Sequence, residues 1–474
     1  MDEERPHAET AGDARRLFFR RRETWLAAAG LLLLFLPLLL PVELVEQADP
    51  KLDPAKVRIG IGIFLCIAFL WVTEALPLAA TALLVPVLAA LTGVMEMKAA
   101  MSGFADPLIF LFFGGFALAS AMAAQGLDRW IADRIVHAGR GDFLRVSYLI
   151  FAVTAGASMW MSNTATTALM IPLVLGILGQ ICTKEDTSRN SVYLLLGTAY
   201  AASIGGLGTL VGTPPNGIAA RELGIGFTEW LKFGIPSVLL LLPLMVVVLR
   251  LIFRPLKVPF ALPERTDFRW SAARITTVLI FALVGLGWIF SGPLAAALKI
   301  ANSMDTVIAL LGVVALVLCR VVGWREIERG TEWGVLLLFG GGIALSNVLE
   351  ATGASLFMAR EIVDLVRAWP PLLLIGAALL FVILLGEFSS NTASAALMVP
   401  IFYSIAKELD LPPAKLVIPL ALAASCGFML PVATPPNAIV FATGRIPQRQ
   451  MLKSGGVLDL VCLVTLALLA WWVF

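Results

Sequence analysis

Two identical tripeptides carry the polar chemistry of an otherwise apolar chain: Ser162-Asn163-Thr164 and Ser390-Asn391-Thr392. Each offers two hydroxyls, one amide oxygen and one amide donor, and neither carries a charge. Hydroxyl, amide and backbone oxygens are the ligands that a small hard cation such as sodium takes. Backbone N–H groups at a helix amino terminus, in contrast, favour an anion. A Thr-Pro-Pro-Asn motif follows each tripeptide, at Thr213–Asn216 and at Thr434–Asn437. Two consecutive prolines remove two backbone donors and free the carbonyls of the preceding turn. Inside a bilayer, carbonyls so freed persist only where protein or a water-filled cavity satisfies them. No Lys or Arg lies between Arg145 and Lys184, Arg189 and Arg221, Arg367 and Lys407, or Lys415 and Arg445. An anion at these motifs would therefore be met by dipoles and co-bound cations, a physical reason for the two to bind together.

The surroundings of the motifs repeat as well. Ser162–Pro172 reads SNTATTALMIP and Ser390–Pro400 reads SNTASAALMVP; an FGG precedes each, at Phe113–Gly115 and Phe339–Gly341. The FGG runs read as close helix-packing faces. The elements that position all this must be membrane helices. Of 474 residues, 59% are apolar and 14% charged, with a mean hydropathy of +0.90, against about 25% charged in an ordinary soluble domain. A net charge of +2 leaves no nucleic-acid footprint. Five scattered cysteines without a CxxC, and only His7 and His137 as imidazoles, argue against a zinc or haem site and a disulfide framework. The absence of a nucleophile–His–acid set or an HExxH argues against an enzyme.

Apolar spans of about 20 residues fall near 25–41, 58–73, 77–93, 107–125, 191–220, 229–252, 273–292, 304–320, 334–352, 416–444 and 454–474. Two more apolar stretches, 143–183 and 371–406, are interrupted midway by the tripeptides, as suits a re-entrant helical hairpin. Eleven crossings remain. No small-x-small site follows Leu40, so the basic amino-terminal tail reads as cytoplasmic and the first span as retained. With the amino terminus inside, 24 of the 35 basic residues fall on inside segments, as the positive-inside rule requires. The chain then divides into tail and first span (1–57), a first repeat (58–252), a cytoplasmic linker (253–272) and a second repeat (273–474). An odd number of crossings per half places the halves in opposite orientation, an inverted-topology repeat typical of secondary transporters. A channel lined by the tips is the alternative, but two inverted broken helices suit alternating access better. Glu387 and Glu74 stand in apolar surroundings, where a charge is costly. Glu387 is expected to bond backbone near a hairpin tip, and Glu74 to serve structure at a cytoplasmic helix end. The run 126–140, with His137, reads as amphipathic and interfacial, its histidine solvated.

The paired tripeptides, the paired Thr-Pro-Pro-Asn motifs and the WVTEALP run at Trp71–Pro77 resemble the divalent anion/sodium symporter family over residues 58–474. Members carry dicarboxylates, citrate or sulfate. The resemblance implies an all-α polytopic protein, a homodimer in membrane lipid whose transport domains move as elevators against a central scaffold. It implies a substrate site of Ser162, Asn163, Thr164, Ser390, Asn391 and Thr392, completed by Thr213, Thr434 and Pro435. A first sodium ion would take Ser158, Ser162, Asn163 and backbone near Gly212; a second would take Asn391 and backbone near Ser389 and Ala433. Gly386 belongs to that second set but stands where relatives often have threonine, so a hydroxyl is missing. Citrate carriers of the family often have valine where this chain has Thr392. The expected function is sodium-coupled symport of C4-dicarboxylates such as succinate, malate or fumarate across a bacterial cytoplasmic membrane, with no organic cofactor. The alternatives are a sodium-independent dicarboxylate exchanger, for which no Lys or Arg is present at the tips, and a carrier of citrate or sulfate.

Overall fold

The computed structural model describes residues 23–181, 188–258, 268–300 and 303–472. The basic tail with His7, Cys182, Lys184 and the middle of the 253–272 linker lie outside the described residues. Every regular element among the described residues is a helix. Prolines and aspartates set many of their starts. Asp53 and Asp106 cap Pro54–Thr73 and Pro107–Ala124 through the N–H groups of Ala55 (3.0 Å) and Leu108 (2.9 Å), each with proline in the first turn, where its missing donor costs nothing.

Among the described residues, eight helices are long and apolar enough to cross a membrane, or nine if Glu23–Leu39 and Val42–Ala48, bent by 74°, form one span. Two of the eight, Asn163–Ile181 and Pro371–Phe388, are hairpin arms, whereas the expected crossings at 77–93, 304–320 and 416–444 contain the shorter apolar helices Leu78–Leu91, Met304–Leu318 and Ala414–Ala424. A 14-residue helix such as Leu78–Leu91 rises roughly 21 Å, less than a hydrocarbon core of about 30 Å. Two expected spans are interrupted. The stretch 191–220 divides into Ser188–Gly206 and Pro214–Leu223, and 416–444 into Ala414–Ala424 and Pro435–Phe441. Each second piece starts at the two prolines, as the sequence requires.

The repeat seen in the motifs is a repeat of elements. In the first half an FGG helix (Pro107–Ala124) leads to an amphipathic helix (Leu127–Ala138) and two hairpin arms (Phe143–Ser158, Asn163–Ile181). The broken pair and a long helix, Phe227–Phe253, follow. The second half runs Trp333–Thr352, Ala354–Val366, Pro371–Phe388, Asn391–Glu408, the second broken pair and Gln448–Trp472. The FGG glycines do serve close packing: a Cβ on Gly114 would sit 2.6 Å from that of Ala309, and one on Gly341 would collide with Ala82. His137 is half-buried rather than free in water, its Nδ1 2.8 Å from the Asp133 carbonyl of its own helix. Leu239, Val247 and Leu251 on one long helix and Leu279 and Leu283 on Ala272–Ile289 remain exposed, an apolar band that only hydrocarbon covers well.

Candidate functional site

Both hairpins turn at their tripeptides, and the turns differ in detail. At the first, Phe143–Ser158 ends and Asn163 begins the next helix; Ser158 Oγ donates to Asn163 Oδ1 at 2.5 Å. Ser162 Oγ accepts the Ala165 N–H at 3.3 Å. At the second, Ser389 is extended and Ser390 precedes the helix that Asn391 opens. There the Ser389 hydroxyl and Asn391 Oδ1 are buried with no hydrogen-bond partner. For Asn391 the difference is Gly386, four residues before Ser390 as Ser158 is four before Ser162. A Cβ at Gly386 would lie 3.8 Å from Asn391 Oδ1, where the first half has its serine.

Both tips and both Thr-Pro-Pro-Asn breaks meet at one cavity of about 500 Å³. Its wall holds both complete tripeptides together with Thr213, Thr434 and Pro435, and also Gly212 and Ala433. Thus every residue expected of the substrate site faces the same space. Ser158, Gly386 and Ser389 are not on that wall; they stand behind the tips, Ser158 and Ser389 buried. The volume suits a small organic ligand. No Lys or Arg lines it, whereas Glu74 and Glu332 do. Sequence reasoning missed Glu332, which precedes the second FGG helix, and gave Glu74 a structural role alone. Glu74 does cap the Pro54–Thr73 helix, in the left-handed region at φ 48°, and it faces the cavity besides.

The breaks are held by buried bonds. Glu387, fully buried, accepts the N–H groups of Met429 (2.9 Å) and Leu430 (2.8 Å), the backbone role its sequence context suggested. In the first half the corresponding place belongs to Met159, whose carbonyl accepts the Thr209 hydroxyl. Leu207 O takes the Trp230 indole N–H at 3.1 Å, while the equivalent Phe428 O takes the Tyr200 hydroxyl at 2.8 Å, across from the other half. Thr213 and Ser425 hydroxyls, 3.4 Å apart, form a second link between halves. Asn216 and Asn437, the last residues of the two motifs, bind back to carbonyls of their own breaks. Recurrence of asparagine after the prolines was the signal in the sequence that marked them.

Such an arrangement can hold a small anion between two helix starts, with oxygen-only niches for cations beside it. A family model described as "Citrate transporter" matches residues 68–400 and 295–474. The chain belongs to this family, of the divalent anion/sodium symporter type. The transporter is 48% identical over 423 residues to an uncharacterized transporter of Haemophilus influenzae, covering 87% of this chain and 91% of that one. It is 32% identical over 467 residues to the sodium-dependent dicarboxylate transporter SdcS of Staphylococcus saprophyticus, covering 92% and 89%. Among solved structures it is similar to the YdaH transporter of Alcanivorax borkumensis, with a TM-score of 0.59, 16% identity and coverage of 79% and 86%. Neisseria gonorrhoeae MtrF gives a TM-score of 0.53 at 14% identity, with coverage of 82% and 84%. These likenesses establish the fold. The protein is an all-helical polytopic membrane transporter, not an enzyme.

Proposed function

We propose that the transporter couples sodium to the import of C4-dicarboxylates, such as succinate, malate or fumarate, by alternating access. The observation that carries this reading is the single cavity shared by both tripeptides and both breaks, with no basic residue on its wall. A dianion in such a space has hydroxyls and helix starts to bind it and no fixed cation to balance it. Sodium supplies that balance. In this reading Ser162, Asn163, Thr164, Thr213, Ser390, Asn391, Thr392, Thr434 and Pro435 hold the substrate. Ser158, Ser162, Asn163 and Gly212 hold one sodium ion, and Asn391 with backbone near Gly386, Ser389 and Ala433 holds another. The sodium-dependent dicarboxylate transporters among the relatives support the assignment. We further assign it to a bacterial inner membrane, amino terminus inside, as a homodimer whose transport domains move as elevators, with the hairpins entering from opposite faces. The family's description favours citrate as a second reading.

The test is uptake of labelled succinate into proteoliposomes with and without an inward sodium gradient. Sodium-driven accumulation is expected. Uptake that needs preloaded succinate and ignores sodium would replace symport with exchange, and citrate accumulation in preference to succinate would favour the second reading.

A further inference from the structure

Both breaks are closed by the same device, which lies outside the ligand sets named above. Asn216 and Asn437 are fully buried. The Asn216 amide donates to the carbonyls of Thr209 at 2.7 Å and Gly206 at 2.9 Å. The Asn437 amide donates to those of Leu430 and Gly427, both at 3.0 Å. In each half, then, one amide reaches back seven and ten residues and draws the two ends of the break together. The other end of each side chain, Oδ1, is buried with no hydrogen-bond partner. An unsatisfied buried acceptor costs stability, and both halves carry that cost in the same place. An apolar side chain would avoid it but could not close the loop.

The closed loops are the ones that reach the cavity. Gly212 and Ala433 lie inside them, on the cavity wall. The anchoring glycines sit among the oxygens in question. A Cβ on Gly206 would be 2.5 Å from Asn163 Oδ1 and 3.1 Å from the Gly212 carbonyl. One on Gly427 would be 3.2 Å from the Ala433 side chain and 3.5 Å from the Gly386 carbonyl. A break rich in unpaired carbonyls has several ways to turn them. Binding two of them back leaves fewer arrangements, so less ordering remains to be done when an ion arrives.

We propose that Asn216 and Asn437 are positioning residues for the two sodium sites, each holding the carbonyl of Gly212 or Ala433 in its ligating orientation by clasping the rest of the break. The proposal rests on the sodium-symport reading, and the experiment separates the two. Wild-type uptake of succinate is measured first across a sodium series; uptake indifferent to sodium would remove the symport reading itself. With sodium-driven uptake in hand, Asn216→Ala and Asn437→Ala are compared with wild type. Loss of one or two hydrogen bonds that favour the ligating loop raises the sodium concentration for half-maximal uptake by about five- to thirtyfold. Uptake lost at low sodium returns as sodium is raised, and succinate affinity recovers with it. A purely structural role would lower the melting temperature and scale uptake down equally at every sodium concentration. That outcome, an unmoved sodium midpoint, overturns the proposal. If an alanine variant does not fold, Asn216→Ser and Asn437→Ser keep one donor at shorter reach. A smaller shift of the same sign supports the clasp, and an unmoved midpoint again overturns it.

Discussion

Adding a hydroxyl at position 386 should tighten the second of the two proposed sodium sites. A Cβ there meets the Ala424 carbonyl at 3.5 Å and Asn391 Oδ1 at 3.8 Å, ordinary contacts, so a small side chain enters without moving backbone. Its hydroxyl would face Asn391 much as Ser158 faces Asn163, where the observed bond is 2.5 Å. Two effects are involved, and they separate. Position 386 lies inside the Pro371–Phe388 helix, where replacing glycine by alanine gains about 0.5–1 kcal/mol of stability without any new bond. One added hydrogen bond or oxygen ligand contributes about 1 kcal/mol, roughly fivefold in affinity. The assay is sodium activation of labelled succinate uptake, run beside melting curves, for wild type, Gly386→Ala and Gly386→Ser. Alanine is expected to raise the melting temperature and leave the sodium midpoint in place. Serine is expected to lower that midpoint about fivefold. If alanine and serine gave the same midpoint, the second sodium ion would not be ligated where we place it.

Thr392→Val removes a buried hydroxyl while keeping shape; succinate affinity should fall about ten- to hundredfold at constant sodium, since a bond to a carboxylate is worth about 1.5–3 kcal/mol. Competition by unlabelled succinate and citrate reads this out, and an unchanged succinate affinity would take Thr392 out of the site. Asn163→Ala and Asn391→Ala should each weaken sodium and succinate together, because the coupling between two ligands is reciprocal; a variant that lost one affinity and kept the other would break the shared site in that half. For the hairpins, cysteines at Ala165, which is exposed, and at half-buried Ser390 should react with small membrane-impermeant thiol reagents. Both tips meet at one cavity, so a reagent entering it should reach both, and failure of either to react would defeat the re-entrant turn in that half.

The site was legible in the sequence to an unusual depth because its parts occur twice. A single SNT tripeptide is weak; two, each followed by Thr-Pro-Pro-Asn, marked out residues that the fold brings to one cavity. Proline pairs also fixed where two spans stop being continuous. What escaped was whatever depends on partners from remote parts of the chain. Glu332 reaches the cavity only because the second FGG helix starts beside it, and no local pattern says so. Tyr200 looks like one more apolar-span aromatic until its hydroxyl is found on Phe428. Helix lengths escaped for a different reason: a run of apolar residues measures composition, whereas helix length depends on where capping and proline end the hydrogen-bond ladder. Leu78–Leu91, which follows Pro77, is the plain case.

The bond from the Tyr200 hydroxyl to the Phe428 carbonyl has a consequence for leakage. Tyr200 belongs to the helix that precedes the first break, and Phe428 lies in the second break; Thr213 and Ser425 join the same two regions. Both ends of the Tyr200 bond are fully buried, so no water stands ready to replace either partner if they separate. One break therefore cannot loosen without disturbing the other. A carrier with two independent niches would let a single ion slip across unaccompanied and run down the gradient that drives it. In the proposed sodium-coupled reading the two niches are tied through the protein interior by these bonds, and slippage would require both to come apart at once.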